Sequence, residues 1–221
     1  MKYSLSATSI IESMIVLLIV VTWIVWVYTL LTSSQKLSDS TSRRIEAIQI
    51  ARDGLESFTN IRDTNWIKFS ADYRNCWNTL NYNSSCIGNN WVGTDITHWI
   101  TQWLLISQNA NNQFIITRRS HPAAWNFYSN STYRSQFAIR KDSNGFYTQV
   151  WWTIYWVNGN PFYTREIQID YLDNNGNSLW PSASNNSRMK VTSIVQWQDI
   201  AKSTPQKLEI STVLTNWKSQ K

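Results

Sequence analysis

The sequence predicts an α+β protein in which a long N-terminal helix packs on an antiparallel β-sheet head. Two observations predict this class. Residues 10–58 combine an uncharged apolar stretch with helical spacing of apolar residues, and the second half of the chain alternates apolar and polar residues between Asn-Gly steps. The 221 residues are enough for one domain with an extension, or for two small domains.

The first half of the predicted helix is apolar enough to cross a membrane. From Met14 to Leu31 the sequence reads MIVLLIVVTWIVWVYTLL, which contains no charged residue. A helix needs about 20 such residues to cross about 30 Å of hydrocarbon. A stretch of this kind near an N-terminus is more typical of a membrane span than of a buried globular helix. We therefore expect residues 8–31 to be a transmembrane segment.

The second half of the helix, residues 32–66, is predicted to be amphipathic. Apolar residues that recur every three or four positions mark one helical face: Ile45, Ile48, Ala51, Leu55 and Phe58. We expect this face to lie on the sheet and the helix to reach about Asn60. A bend in the Ser/Thr-rich residues 32–42 and a local weakness at Gly54 are alternatives to a regular helix.

Residues 67–221 are predicted to form a globular antiparallel β head. Asn-Gly steps favour tight turns, and three of them punctuate this region: Asn144-Gly145, Asn158-Gly159 and Asn175-Gly176. The strand-like runs between the turn signals are residues 112–118, 136–140, 146–157, 162–172, 188–198 and 207–217.

The two cysteines, Cys76 and Cys86, enclose a short polar loop. Neither a second cysteine pair nor a nearby histidine completes a tetrahedral zinc site. In an exported head, a disulfide that closes this loop is favoured, whereas free thiols would suit a cytosolic head better.

No catalytic or cofactor-binding set is visible in the sequence. His98 and His121 are far apart, and neither has a carboxylate or cysteine at metal-ligand spacing. A nucleotide-binding Gly-rich loop and a nucleophile elbow are also missing from the sequence. The runs at residues 142–145 and 173–177 lack the spacing and closing Glu of a calcium loop, so turn chemistry explains them more simply, with a weak calcium site as the alternative. We therefore predict no enzyme activity, no metal and no cofactor.

Two features of the composition are unusual. Charged residues make up 15% of the chain, against an ordinary share of about 25%. The formal net charge of +6 is scattered, which favours a solvated basic surface over a DNA- or polyanion-binding face. There are 14 Trp and only 6 Gly. Either the surface is truly Trp-rich, or some Trp are glycines of an organism that reads UGA as Gly; Trp23, Trp26, Trp151 and Trp156 are the positions that decide.

Residues 7–16, ATSIIESMIV, contain a small residue, a short apolar stretch and Glu12 before the long apolar helix. With the small residue at a cleavage point, this segment resembles the N-terminus of a type IV prepilin. The resemblance implies a leader of residues 1–7 and cleavage between Ala7 and Thr8 by a prepilin peptidase, with N-methylation of the new terminus. It also implies that Glu12 pairs with the N-terminal amine of a neighbouring subunit during assembly. The family usually has Gly and Phe where this chain has Ala7 and Thr8.

Two further segments resemble pilin-like proteins. Residues 60–66, NIRDTNW, are similar to the end of the corresponding helix, which implies that Trp66 packs under the head. Residues 191–197 and 208–217, which end in LTNW, resemble the closing hairpin of minor pilin-like proteins. The resemblance covers both ends of the chain and leaves residues 67–187 unassigned.

The family resemblance implies a minor pilin or pseudopilin, a subunit of a type IV pilus or of a type II secretion-like filament. The expected partners are other such subunits, the inner membrane and the prepilin peptidase, with surface polymers or DNA as further candidates. The expected location is a single pass through the inner membrane, leader cytoplasmic and head exported, and then an extracellular or periplasmic filament. The alternatives are an uncleaved signal anchor that carries an adhesin-like head and, third, a membrane-tethered enzyme.

Overall fold

The computed structural model describes residues 9–88, 96, 102–109, 111–120, 135–141, 147–149, 163–179, 188–198 and 205–217. The chain divides into two compact units, with the boundary between Arg44 and Ile45. Each unit is described by itself below.

Helix α1 (Ser9–Lys68) begins in the first unit and ends in the second. Residues 32–42, where a bend was the alternative, are helical throughout, and hydroxyl groups in this region donate to carbonyls of the preceding turn. Ser33 Oγ donates to Thr29 O (2.8 Å) and Thr41 Oγ1 donates to Leu37 O (2.9 Å). The expected end near Asn60 is also wrong, since the helix continues to Lys68.

Two β-sheets follow α1 in the described part of the chain. Their strands are β1 (Gln102–Gln108), β2 (Phe114–Ser120), β3 (Arg140–Lys141), β4 (Tyr147–Thr148), β5 (Tyr163–Leu172), β6 (Arg188–Gln198) and β7 (Pro205–Thr215). Five of these strands form an antiparallel sheet in the order β2-β1-β5-β6-β7, and β3 pairs with β4. The layout is α+β, as the sequence predicts.

The last three strands of the large sheet follow the predicted runs closely. Strand β6 has the predicted bounds, β5 begins one residue late, and β7 begins two residues early. Their register places Ile169 beside Val191 and Val191 beside Thr212. Alternation of apolar and polar residue types, as at Ile167, Ile169 and Tyr171 in β5, explains why these strands are readable in the sequence.

The other strand predictions agree less closely with the structure. Strand β1 was not predicted, since Leu104, Leu105 and Ile106 are all buried and the run therefore lacks alternation. Residues 136–140 contribute only an isolated bridge at Ala138 and the first residue of β3. Most of the run predicted at 146–157 lies outside the described residues, as do the turns at Asn144 and Asn158.

The core of the second unit lies between α1 and the large sheet. Leu55, Phe58 and Ile61 cluster with apolar residues of β5 and β6, and Ala47, Ile50 and Ala51 cluster with Tyr163, Val195 and Trp197. Three residues of the predicted face, Ala51, Leu55 and Phe58, are confirmed as buried, whereas Ile48 is partly buried. Ile45 is 53% exposed. Two residues correspond to about 200° of helix rotation, so Ile45 and Ala47 point in nearly opposite directions.

Candidate functional site

The first candidate site is the apolar beginning of α1. Large apolar side chains from Ile10 to Leu31 are each about half exposed or more, and none of the most apolar 18-residue window is buried. By length and composition, α1 is the one described helix that could cross a membrane. So much apolar surface is unfavourable in water, at about 25 cal/mol per Å², and needs lipid or protein around it.

Glu12 is the acidic residue in the first turn of this helix. The N-terminal end of a helix carries partial positive charge, which favours a carboxylate there. The next acidic residue in the sequence is Asp39, so Glu12 is the sole carboxylate of the apolar segment. In a dry environment such a group needs a cationic or hydrogen-bonding partner. Ala7 and Thr8, the predicted cleavage residues, lie outside the described residues.

The second candidate site is the last two turns of α1, where the NIRDTNW segment (residues 60–66) meets the C-terminal residues Asn216 and Trp217. Trp66 is 6% exposed, and its Nε1 donates to Asn216 Oδ1 (3.1 Å). Its ring meets that of Trp217 edge-on, with centroids 5.4 Å apart. On the other side, the Arg62 guanidinium carbon lies 4.6 Å from the Trp66 ring centroid. The expected packing of Trp66 under the head is therefore observed.

Arg62 and Asp63, which are neighbours in sequence, form an ion pair. Arg62 Nε donates to Asp63 Oδ1 at 2.9 Å. The Asp63 side chain is 49% exposed, so solvent screens the pair. The contribution of Arg62 to stability therefore comes mainly from its stacking on Trp66.

Asn65, between these residues, fixes the loop that follows α1. Its side chain is fully buried, and Nδ2 donates to Trp77 O (3.2 Å) and to Thr79 O (3.1 Å). A buried amide replaces the strand partners that this irregular backbone lacks. The NIRDTNW segment therefore joins three parts of the head: the end of α1, the loop and the C-terminal end of β7.

Cys76 and Cys86 form a disulfide across this loop, with their Cα atoms 5.2 Å apart. Both cysteines are fully buried and pack against Phe69. Closing a loop of this size stabilises the folded chain by roughly 3 kcal/mol in the entropic model. The cysteine pair thus fits the predicted disulfide.

Asp72 closes the same loop beside the disulfide. Its Oδ2 accepts from Gly88 N (2.7 Å) and from Asn75 Nδ2 (3.0 Å). Gly88 has φ +74°, a conformation that glycine adopts without strain. Burial raises the pKa of Asp72, but the hydrogen bonds from Gly88 and Asn75 outweigh it and hold the pKa below its usual value.

A buried arginine lies between the second half of α1 and the sheet. Arg165 is fully buried, and its Nη1 donates to Asp53 Oδ2 and to Ile50 O, each at 3.1 Å. Burial lowers the pKa of Arg165 and the Asp53 carboxylate offsets part of that effect. The Gln149 amide accepts from Arg165 Nη2 at 3.4 Å. This network fixes the second half of α1 against β5.

Gly54 makes the close approach of α1 to the sheet possible. A Cβ at this position would lie 3.0 Å from Ile167 Cδ1 and 3.1 Å from both Arg165 Cδ and Ser193 Oγ. Helix α1 continues through Gly54. Close packing against Ile167, Arg165 and Ser193 favours glycine at this position.

Nothing in the described ranges gathers three or more His, Cys, Asp or Glu side chains into a metal-binding group. The Asp173 carboxylate accepts from Asn175 N and Asn177 N, both at 2.8 Å, as turn chemistry predicts. These bonds, that from Asn177 first, lower the pKa of Asp173. His98 and His121 lie outside the described residues.

Comparison of the chain with family models, with curated proteins and with solved structures finds no match. Function is therefore inferred from the residues and their geometry. Those features are an α+β layout, a helix apolar enough to cross a membrane, and a head that contains a loop closed by a disulfide.

Proposed function

We propose that this protein is a type IV pilin-like filament subunit, a minor pilin or pseudopilin, without enzyme activity. The observation that carries the proposal is helix α1. Residues 10–31 present apolar side chains on every side, whereas residues from Ala47 onward in the same helix are built into the core of the head. The same helix thus provides an apolar surface that needs a partner and a segment that belongs to the core of a folded head.

Before assembly, lipid solvates the apolar segment, and the subunit resides in the inner membrane with its head exported. On assembly, the segment leaves lipid and packs among the same segments of sister subunits. Apolar side chains gain no net hydrophobic energy on moving from lipid to protein, so packing and polar pairing drive the step. The membrane therefore serves as a store of subunits.

Glu12 supplies the polar pairing. Prepilin peptidase cuts between Ala7 and Thr8, and the amine of the new N-terminus becomes the partner of Glu12 in an adjacent subunit. In a low-dielectric filament core an unpaired carboxylate is strongly disfavoured, so only the register that pairs it is stable. The other partners in this account are the peptidase, the inner membrane and, through the head, surface polymers or DNA.

Replacement of Glu12 tests this proposal in cells that build such filaments. We expect Glu12→Ala to lower the amount of this protein in sheared filaments at least tenfold while the membrane fraction keeps it, because the pairing is lost. Immunoblots of both fractions measure the ratio. Glu56→Ala, which changes an exposed glutamate of the same helix in the head, is the matched control. Equal incorporation of Glu12→Ala and the parent chain would refute the proposal.

A surface-binding module on an uncleaved signal anchor is the second candidate. The observation that favours it is Trp217, a residue that is 57% exposed beside the buried Trp66 and whose ring could stack on a sugar ring. The N-terminus distinguishes the two functions. A mature chain that begins at methylated Thr8 supports the filament subunit, and an intact Met1 in the membrane supports the anchor.

A further inference from the structure

The first unit continues as a helix beyond its apolar segment. The last residue of that segment is Leu31, and residues 32–44 belong to the same unit and to helix α1. Their sequence, TSSQKLSDSTSRR, is polar apart from Leu37, which is 70% exposed. When the apolar segment lies in lipid, these residues begin at the layer of lipid headgroups. Their charges therefore meet that layer first.

Lys36 lies at the depth of the headgroups. It follows Leu31 by five residues, which corresponds to about 7.5 Å of helix. The headgroup layer on each side of a bilayer is roughly 5–7.5 Å thick, since the whole bilayer is about 40–45 Å thick and its hydrocarbon core about 30 Å. Side chains on a helix point back toward its N-terminus. The Lys36 ammonium group is therefore directed into the headgroup layer.

Arg44 adds a second cation on the same side of the helix. It follows Lys36 by eight residues, so the two positions are separated by about two turns and 80° of rotation. Both residues are exposed. Arg44 lies about 12 Å farther along the helix, but its side chain leans back over the preceding turn. Its guanidinium group is thus about one Debye length, or 8 Å at physiological salt, from the outer limit of the headgroup layer.

The one carboxylate of residues 32–44 is paired within the helix. Asp39 Oδ2 lies 3.8 Å from Arg43 Nη2, at the i, i+4 spacing. The Arg43 side chain is only 18% exposed, whereas that of Asp39 is 67% exposed. Arg43 therefore offsets the charge that would repel a phosphate group. The pair leaves Lys36 and Arg44 as the net positive charge of these residues.

We propose that Lys36 and Arg44 bind the phosphate groups of anionic phospholipids in the leaflet on the head side of the membrane. This inference rests on the membrane location in the proposed function and adds the lipid partner of the subunit. Charge and depth together indicate this partner. The two cations are exposed just beyond a segment apolar enough to cross the bilayer, and anionic headgroups are the charged groups that a bilayer presents there.

These contacts fix the depth of the apolar segment before assembly. Lys36 acts as a point charge, whereas the Arg44 guanidinium group can donate to two phosphate oxygens at once. A cation near an anionic membrane surface favours binding about fivefold. The subunit is therefore stored preferentially among anionic lipids, and its withdrawal into a filament breaks these contacts.

Electron spin resonance of the full chain in vesicles tests the lipid contact. The vesicles contain phosphatidylcholine and phosphatidylglycerol, with a trace of one of the two lipids spin-labelled on its acyl chain. Lipid beside the protein is motionally restricted, which gives its relative association constant. We expect phosphatidylglycerol to associate with the parent chain at least threefold more strongly than phosphatidylcholine at low salt. Lys36→Gln/Arg44→Gln should bring the two lipids to nearly equal association.

Arg52→Gln/Lys190→Gln is the matched control, since it removes two positive charges from exposed residues of the other unit. It should keep the preference of the parent chain. Equal association of the two lipids with the parent chain, or an unchanged preference in Lys36→Gln/Arg44→Gln, would overturn the proposal. Either result, with restricted lipid still present, would leave the membrane span and the filament function standing. Absence of restricted lipid of either kind would contradict the span itself, and with it both proposals.

Discussion

At the scale of single residues, several side chains determine the structure without a signal that stands out in sequence. Arg165 is embedded in an alternating strand pattern, where a charged residue is ordinarily placed at the surface, yet it is fully buried. Asn65 and Asn81 look like any of the many asparagines in this chain, and only the fold shows that their amides replace missing strand partners. Cys76, Cys86 and Trp66, in contrast, could be predicted, because their residue types restrict the environments they occupy.

The buried tryptophans bear on whether some tryptophans in this sequence stand for glycine. Trp66 and Trp77 are 6% and 3% exposed and belong to the main core cluster. Glycine at either position would remove a large ring from the core, a change that costs about 3–5 kcal/mol or more. These two positions therefore fit genuine tryptophan. Trp23 and Trp26 are 69% and 72% exposed, so packing within the described chain makes no such demand there, and Trp151 and Trp156 lie outside the described residues.

Gly54 gives a prediction at this scale. Gly54→Ala improves intrinsic helix propensity by about 1 kcal/mol. The added Cβ, however, would lie 3.0–3.1 Å from Ile167 Cδ1 and Arg165 Cδ, and overpacking of this kind costs about 1–3 kcal/mol. Arg165 cannot easily move, because its guanidinium is bonded to Asp53 and Ile50. We expect a net loss of about 1 kcal/mol in the free energy of unfolding, measured by urea titration of the head transition.

Glu56→Ala is the matched control for Gly54, because it changes an exposed position two residues away in the same helix. It should leave the urea midpoint nearly unchanged. A higher midpoint for Gly54→Ala than for the parent chain would show that α1 does not approach the sheet as closely as described.

At the scale of elements, the apolar pattern of the sequence predicts a helix or strand well where one face is buried and the other is exposed to solvent. Strand β6 was predicted with its observed bounds for this reason, and β1 was missed because residues on both of its faces are buried. The end of α1 was predicted too early, because the polar residues of the NIRDTNW segment are typical of a helix C-terminus. In the fold, Asn65 and Trp66 are buried by contacts with segments distant in sequence. No local pattern carries that information.

The loop closed by Asp72 gives a prediction about pH. The pKa of Asp72 is lowered in the folded chain, so its ionised form stabilises the fold at pH values above the ordinary pKa near 3.8. That contribution is lost as pH falls through the lowered pKa. We expect Asp72→Asn to reduce the thermal midpoint at pH 6–7 and to match the parent chain at the lowest pH at which both still fold. Scanning calorimetry across this range measures the difference.

Glu56→Gln provides the control for Asp72, since the same loss of charge occurs at an exposed helical site without loop contacts. Its midpoint should follow that of the parent chain at each pH. A midpoint difference for Asp72→Asn that is independent of pH would mean that the carboxylate does not hold the loop through its charge.

At the scale of the whole molecule, the chain consists of two units that differ in how their apolar residues are buried. The unit from Ile45 onward buries its own core, with a disulfide, a buried arginine network and an aromatic contact between Trp66 and Trp217. The described part of the other unit exposes its apolar side chains and has no core to bury them. Such a division is expected of a subunit whose first segment is completed by other molecules. The division into an apolar segment and a head could be predicted from the sequence, because it depends only on composition and on the spacing of apolar residues.

The central claim is that sister subunits surround the apolar segment of α1 in an assembled filament. A photoreactive amino acid at Leu18, which is 66% exposed, tests it most directly. Irradiated filaments from assembling cells should yield covalent adducts between Leu18 of this chain and the apolar segments of other subunits, and cells that lack the assembly machinery should yield none. Adducts to lipid alone in both kinds of cell would contradict the claim and leave a head tethered to the membrane.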